Sequence, residues 1–257
     1  MKVLAISQAR VSSSRLPGKI FKEVTGTTLL EIHIQRLLES KRITDFILAT
    51  TQNPADDIIE AFALERKLTV FRGQEEDVLD RFYCASQKVQ PDWIVRVTSD
   101  CPLIDAKLID EIVDRAITSN ADYVSNTLEP TFPDGQDVEV FKIGALETAW
   151  RNAVLRSDRE HVTPYIWRNS TFKGKEQFKS FNFNSATDYS RVRLTVDEQR
   201  DFETLRFIIE NLGYMKGWLP YAQFYLDHLN EIENYNIQRN EGFERSLLKD
   251  HNHGNKL

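Results

Sequence analysis

Apolar residues in this chain come in short dense runs, separated by longer stretches in which they recur every three or four positions. Val3 to Ile6, Phe46 to Thr50, Val70-Phe71 and Trp93 to Val97 are runs rich in β-formers with little polar alternation. Strands buried on both faces need that composition. Leu29 to Leu38, Ala55 to Arg66, Asp77 to Lys88 and Ile104 to Ser119 carry the helical period between them. Strand and helix alternating in this way predict an α/β fold with a mixed, mostly parallel sheet and crossover helices. After Asp122 the alternation loosens. Strands are expected at Tyr123-Val124, Val138 to Phe141, Phe181 to Phe183 and Val192 to Val196, and helices at Ala145 to Val154, Asp158 to Trp167, Phe202 to Asn211 and Leu219 to Leu229. No internal repeat or Gly/Pro/Ser-rich linker divides the chain, so residues 1–257 are expected to form one domain, with a small lobe around 125–190.

Composition narrows the function. With 41% hydrophobic residues the chain can bury a full core, and 39 acidic against 33 basic side chains give a net charge of -6. That balance argues against a nucleic-acid-binding protein, which needs a basic face. Any anion must be held by a local cluster. No apolar run reaches the roughly 18 residues of a membrane span, and the first strand turns polar at Ser7, too early for a signal-peptide core. No membrane association and a cytoplasmic location are therefore expected. Cys84 and Cys101 lack metal or redox spacing and read as reduced thiols. His251 and His253 read as a polar tail end.

The densest chemistry lies in Gln8 to Lys19, directly after the first strand. Ligands of open α/β sheets bind at that carboxyl edge. Ser12, Ser13 and Ser14 with Arg10, Arg15, Lys19 and a Pro17-Gly18 turn suit a polyphosphate; a solvated basic loop is the other reading. A second segment, Arg96 to Asp105, ends a strand on Asp100, a carboxylate suited to a hard divalent cation such as Mg²⁺ or to an Asx turn, with Asp105 capping the next helix. A third, Arg191 to Glu198, ends likewise on Asp197.

Taken in order, these segments, Phe71 to Arg81 and the downstream blocks Asp122 to Asn126, Pro133 to Val140, Arg159 to Thr163 and Arg193 to Asp197 strongly resemble the cytidylyltransferases that make CMP-activated acidic sugars. The relationship covers the acylneuraminate and Kdo enzymes and, within the family, the spore coat polysaccharide biosynthesis protein F branch. The resemblance implies a Rossmann-like nucleotide-diphospho-sugar transferase fold of the glycosyltransferase A type. It implies CTP and a small acidic 2-keto sugar as substrates, CMP transfer with release of pyrophosphate in surface polysaccharide or glycoconjugate synthesis, Mg²⁺ as cofactor, and a homodimer. Carried over by motif, Gln8, Ala9, Arg10, Ser14, Arg15 and Lys19 would hold the triphosphate, and Arg72, Asp77 and Arg81 the nucleoside side. Asp100 and Asp197 would hold the metal, with Lys19 and Arg15 acting on the transferring phosphate. Asn126, Asp137, Glu139, Glu160 and His161 would face the acceptor. Kdo synthetases carry Gly-Asp-Glu-Pro where this chain has Ser99-Asp100-Cys101-Pro102, so the sugar stays unnamed. A glycosyltransferase consuming a nucleotide sugar and a catalytically silent nucleotide-binding scaffold are the rival readings. The two strand-end aspartates argue against the silent one.

Overall fold

The computed structural model describes residues 1–232 together with 237, 239, 243–244, 246–248 and 250; His251 and His253 lie outside the described residues. Its frame is one seven-stranded sheet. β1 (Val3–Gln8) lies between β4 (Asp45–Thr51) and β6 (Trp93–Thr98), with β5 (Thr69–Gly73) beyond β4, and these four strands are parallel. Leu4, Ala5 and Ile6 are fully buried, as a central strand covered on both faces requires. On the other side the order continues through β8 (Glu139–Lys142), β7 (Tyr123–Ser125) and β9 (Ser180–Asn182). Only β8 runs against the rest. A small hairpin of β2 (Glu23–Val24) and β3 (Thr27–Thr28), which the sequence patterns had not singled out, turns on Thr25 and Gly26, both at positive φ.

Helices cover both faces, and polar residues fix where several of them start. α1 (Leu29–Leu37) begins where the Thr28 hydroxyl accepts the Glu31 N–H, and α3 (Val78–Gln87) where Asp77 accepts the Asp80 N–H. α4 (Ala106–Ser119) begins at Asp105, which accepts from Lys107 and Leu108, and it stops at Asn120 in the left-handed region. α2 (Asp57–Glu65) and α5 (Ile143–Asn152) complete the cover of the sheet, while α8 (Gln199–Leu212) and α9 (Trp218–Asp227) pack together over a separate apolar cluster.

Two expected elements differ. The helix expected over Asp158 to Trp167 is two pieces, α6 (Arg156–His161) and α7 (Pro164–Arg168). The break is at Val162, which sits in a γ-turn at φ 72 closed by the Thr163 N–H on the His161 carbonyl, and Pro164, which has no N–H to donate, opens α7 in its first turn. The strand expected over Val192 to Val196 makes, among the described residues, a single bridge, Asp134 with Arg193. Its partner chain turns away at Gly135, whose φ is 103. Val192, Leu194 and Val196 still point into the core, and Arg193 and Thr195 point to the site. Three aromatics of the segment around β9 find partners within the chain: Phe178 is buried, Phe181 lies under Arg115 and Phe183 stacks on Phe132.

Candidate active site

Three segments leave the sheet at its carboxyl edge and meet there. After β1 the loop folds on itself, with Ser13 and Gly18 N–H both donating to the Val11 carbonyl. Gly18 at φ 68 then turns the chain into the single 3-10 turn Lys19–Phe21. That turn points Lys19 inward, 8% exposed. After β6 a tight turn, with Cys101 N–H on the Thr98 carbonyl, presents Asp100. The Val196 N–H donates to the Asp100 carbonyl at 2.8 Å, and this bond sets Asp197 beside Asp100 although the two aspartates are far apart in the chain.

The result is a shared cation. Lys19 Nζ lies 2.9 Å from Asp100 Oδ2 and 2.9 Å from Asp197 Oδ1. Arg15 reaches the same Asp197 oxygen at 3.0 Å, and Arg193 reaches Asp197 Oδ2 at 3.1 Å. Burial alone would push the Asp100 carboxyl up; the Lys19 ammonium and the Thr98 hydroxyl outweigh it and hold Asp100 well below the usual range. Burial likewise opposes the Lys19 charge, and the two carboxylates raise it above its ordinary value.

Behind this centre Arg193, 5% exposed, is fixed by Asp134 at 2.5 Å and by Asp201 at 2.8 Å. Asp201 also accepts the N–H groups of Asp197 and Glu198, so one carboxylate caps α8, orients Arg193 and holds the Asp197 backbone. Burial, then Asp137 beside it, pushes Asp134 up to about 7 even though Arg193 pairs with it. Arg193, Asp134 and Asp201 were not among the expected site residues. Arg193 and Asp134 stand in the quoted motifs, whereas Asp201 carries no sequence signal beyond its place in the first turn of a helix.

An open cavity of about 540 Å³ spans these groups. Gln8, Ala9, Arg10, Ser14, Arg15 and Lys19 line one part, and Arg81, Asp137, Glu160 and His161 line others. Arg81 is 3% exposed; burial, with Arg10 nearby, lowers its pKa to about 10. It donates to the Gln74 carbonyl, and its Nε has no hydrogen-bond partner among the described residues. Asp137 pairs with Arg239, and the His161 ring meets Phe243 edge-on at 5.1 Å.

Four expected residues lie outside the lining. Arg72 points away: it donates to the Thr51 and Asn53 carbonyls and pairs with Asp57 and Glu60. Asp77 is taken up by its cap on α3 and by a double contact with Arg159. Asn126 is buried against Gln136 and Val138, bonding only backbone there. Glu139 lies beneath the floor, holding Arg96, Tyr123 and Thr163. Its role is to position Arg96, which does line the cavity.

The donor set fits Mg²⁺. Two hard carboxylates already share one cationic centre, and the ion commonly takes one or two carboxylates with phosphate oxygens and water completing its shell. Among the described residues no group of three or more His, Cys, Asp or Glu side chains could hold a metal unaided. Among them, too, no helix is long and apolar enough to cross a membrane.

Comparison with known proteins agrees with this geometry. Residues 4–239 match the cytidylyltransferase family model. The chain is 38% identical to an uncharacterized protein of Methanocaldococcus jannaschii, over 92% of this chain and 95% of that one. It is 31% identical to the spore coat polysaccharide biosynthesis protein SpsF of Bacillus subtilis, over 82% and 88%. Among solved structures it is similar to a cytidylyltransferase from Leptospira borgpetersenii, with a TM-score of 0.85 and 34% identity over 93% of this chain and 100% of that one. The chain belongs to the cytidylyltransferase family and is a nucleotidyltransferase.

Proposed function

We propose that the protein transfers CMP from CTP to a hydroxyl of a small acidic 2-keto sugar, for surface polysaccharide or glycoconjugate synthesis. The observation that carries the reading is the meeting of Asp100 and Asp197 on one cationic centre, beside a loop that lines the cavity with Arg10, Ser14 and Arg15. The acceptor oxygen attacks the α-phosphorus in line, the bond from that phosphorus to the bridging oxygen breaks, and pyrophosphate leaves. Lys19, Arg15 and Arg10 balance the charge on the departing phosphates. Mg²⁺, when bound by Asp100 and Asp197, supplies Lewis-acid stabilisation of that charge. Asp134 lines the same cavity beside Arg193, and its carboxyl, pushed up to about 7 by burial and by Asp137, suits the transfer of the acceptor proton near neutrality.

Arg81 suits the nucleoside side, because its guanidinium lines the cavity and, among the described residues, its Nε–H has no hydrogen-bond partner. On the acceptor side, Arg96 and Arg193 are locked to buried carboxylates, whereas among the described residues Arg156 pairs only with the exposed Glu76. Arg156 is thus the lining cation free to exchange its partner for a substrate carboxylate. Glu160 and His161 offer polar groups to the sugar hydroxyls.

The test is pyrophosphate release with each nucleoside triphosphate, Mg²⁺ and a panel of 2-keto-3-deoxy sugar acids, together with Asp100→Asn and Asp197→Asn. Release that needs CTP and a keto acid, with most turnover lost in each variant, supports the reading. Release from every nucleotide alike, or variants with full turnover, overturns it. Light scattering tests whether the working unit is a homodimer.

A further inference from the structure

We infer that Lys19 is the resident counter-ion of the metal site. In the nucleotide-free protein its ammonium fills the position between Asp100 and Asp197 that a divalent cation needs, so metal binds well only once a triphosphate draws Lys19 away. The inference rests on the proposed role of the two aspartates as metal ligands.

The geometry makes the two occupants mutually exclusive. Nζ is 2.9 Å from an oxygen of each aspartate, and the side chain is 10% exposed, so water does not readily take its place. A metal bound at about 2.1 Å to those same oxygens would leave an ammonium against a divalent cation. Asp197 is opposed on both oxygens, by Arg15 on Oδ1 and Arg193 on Oδ2. A divalent ion entering the free protein therefore meets three cations and carboxylates that are already neutralised.

A triphosphate reverses that balance. It brings several negative charges to the loop carrying Arg15 and Lys19, and the lysine's four-carbon stem lets Nζ swing to a phosphate oxygen without moving the backbone. Arg193 stays where it is, held by Asp134 and the buried Asp201. Asp100 Oδ2 and Asp197 Oδ1 are then exposed together, next to phosphate oxygens able to complete a coordination shell. Nucleotide and metal each raise the other's affinity, and by linkage the factor is the same in both directions.

The experiment uses Mn²⁺ as probe, with free ion measured by electron paramagnetic resonance in the absence of nucleotide. Wild type is expected to show no site tighter than about 1 mM, and Lys19→Met a site tighter by on the order of tenfold or more. Adding Asp100→Asn to Lys19→Met should abolish that site, and Lys19→Arg, which keeps the charge, should behave as wild type. Should Lys19→Met not fold, Lys19→Gln, uncharged but able to hydrogen-bond the carboxylates, takes its place. Equal Mn²⁺ affinity in wild type and the neutral variant overturns the inference. A parallel titration with the α,β-methylene analogue of CTP separates the two ideas. If Asp100→Asn leaves that Mn²⁺ binding intact, the aspartates are not the metal ligands; if it weakens binding while Lys19→Met gains nothing in the free protein, only the counter-ion role fails.

Discussion

His33 links the fold to the site, and its chemistry predicts a pH window. It stands on α1, fully buried, with Nδ1 3.0 Å from the Cys101 carbonyl and Nε2 2.8 Å from Ser7 Oγ. A carbonyl only accepts, so Nδ1 carries the proton and the neutral ring accepts the Ser7 hydroxyl at Nε2. Burial lowers the pKa from 6.5 to about 4, and nearby Arg36 adds to it. Between those values the unfolded chain binds a proton that the folded protein refuses, so stability rises with pH across the window. The contribution is complete above 6.5 and lost progressively as pH falls towards 4. From 7.5 to 5.0 the linkage relation gives a loss of about 2 kcal/mol from this one group, nearing about 3 kcal/mol below pH 4. Asp100 also loses stability in acid, but it does so below about 4, the ordinary carboxyl range, since its folded value is depressed. Urea denaturation of wild type and His33→Gln at pH 7.5 and 5.0 isolates the term, because every other titrating group cancels in the difference. Wild type should lose about 2 kcal/mol more than the variant. Parallel losses would show that His33 already titrates in the fold as an ordinary histidine, and the reasoning would fail.

Other positions give sharper contrasts. A Cβ at Gly135 would stand 2.6 Å from the Leu194 backbone, in a conformation at φ 103, so Gly135→Ala should cost more than about 2 kcal/mol by thermal denaturation and remove activity by shifting Arg193 to Asp197. Arg72→Gln should change the KM for CTP less than about twofold and cost on the order of 1 kcal/mol, since it breaks the pairs with Asp57 and Glu60 and the hydrogen bonds to the Thr51 and Asn53 carbonyls but nothing in the cavity; Arg81→Gln should raise that KM on the order of tenfold or more. Steady-state kinetics decide between them, and the opposite order would restore the motif-based role of Arg72. Arg156→Gln should raise the KM for a keto-acid acceptor about tenfold or more and leave the KM for CTP unchanged, while the acid's methyl ester should show no such difference; an equal effect on both would place Arg156 elsewhere.

The elements nearest the site were the most legible. β1, β4 and β6 are buried over most of their length, so their runs are mainly apolar, and the loops after β1 and β6 fall at the carboxyl edge by topology alone. The short β2–β3 hairpin escaped because two-residue strands leave no period to read. Val192 to Val196 has the alternation of a strand, and its side chains obey it, yet pairing depends on a partner that Gly135 turns aside. Arg72 shows the limit of motif transfer. It shares a motif with Arg81, but β5 pairs with β4 in a register that sends Arg72 to the Thr51 carbonyl while α3 returns Arg81 to the cavity. Asp201 and His33 were invisible for a different reason: each acts through partners distant in sequence, at Asp197 and Arg193 for one and at Ser7 and Cys101 for the other.

Those distant ties explain how a protein with a net charge of -6 can hold a polyphosphate. Its site cations are kept in place by carboxylates of two kinds. Asp201 and Glu139 are buried and take no part in lining the cavity; they fix Arg193 and Arg96, whose charge is then directional and permanent. Asp197, Glu75 and Glu76 line the cavity and pair with Arg15, Arg10 and Arg156, which are partly exposed and can exchange partners when an anion arrives. Breaking a pair of the first kind strands a buried charge and threatens the fold, at a cost of roughly 3–5 kcal/mol. Losing one of the second kind changes binding with little effect on stability. Substitutions at Arg10, Arg15 and Arg156 therefore report on substrate, whereas substitutions at Arg193 or Asp201 report on folding and substrate together, and only the first set can apportion the binding energy of the reaction.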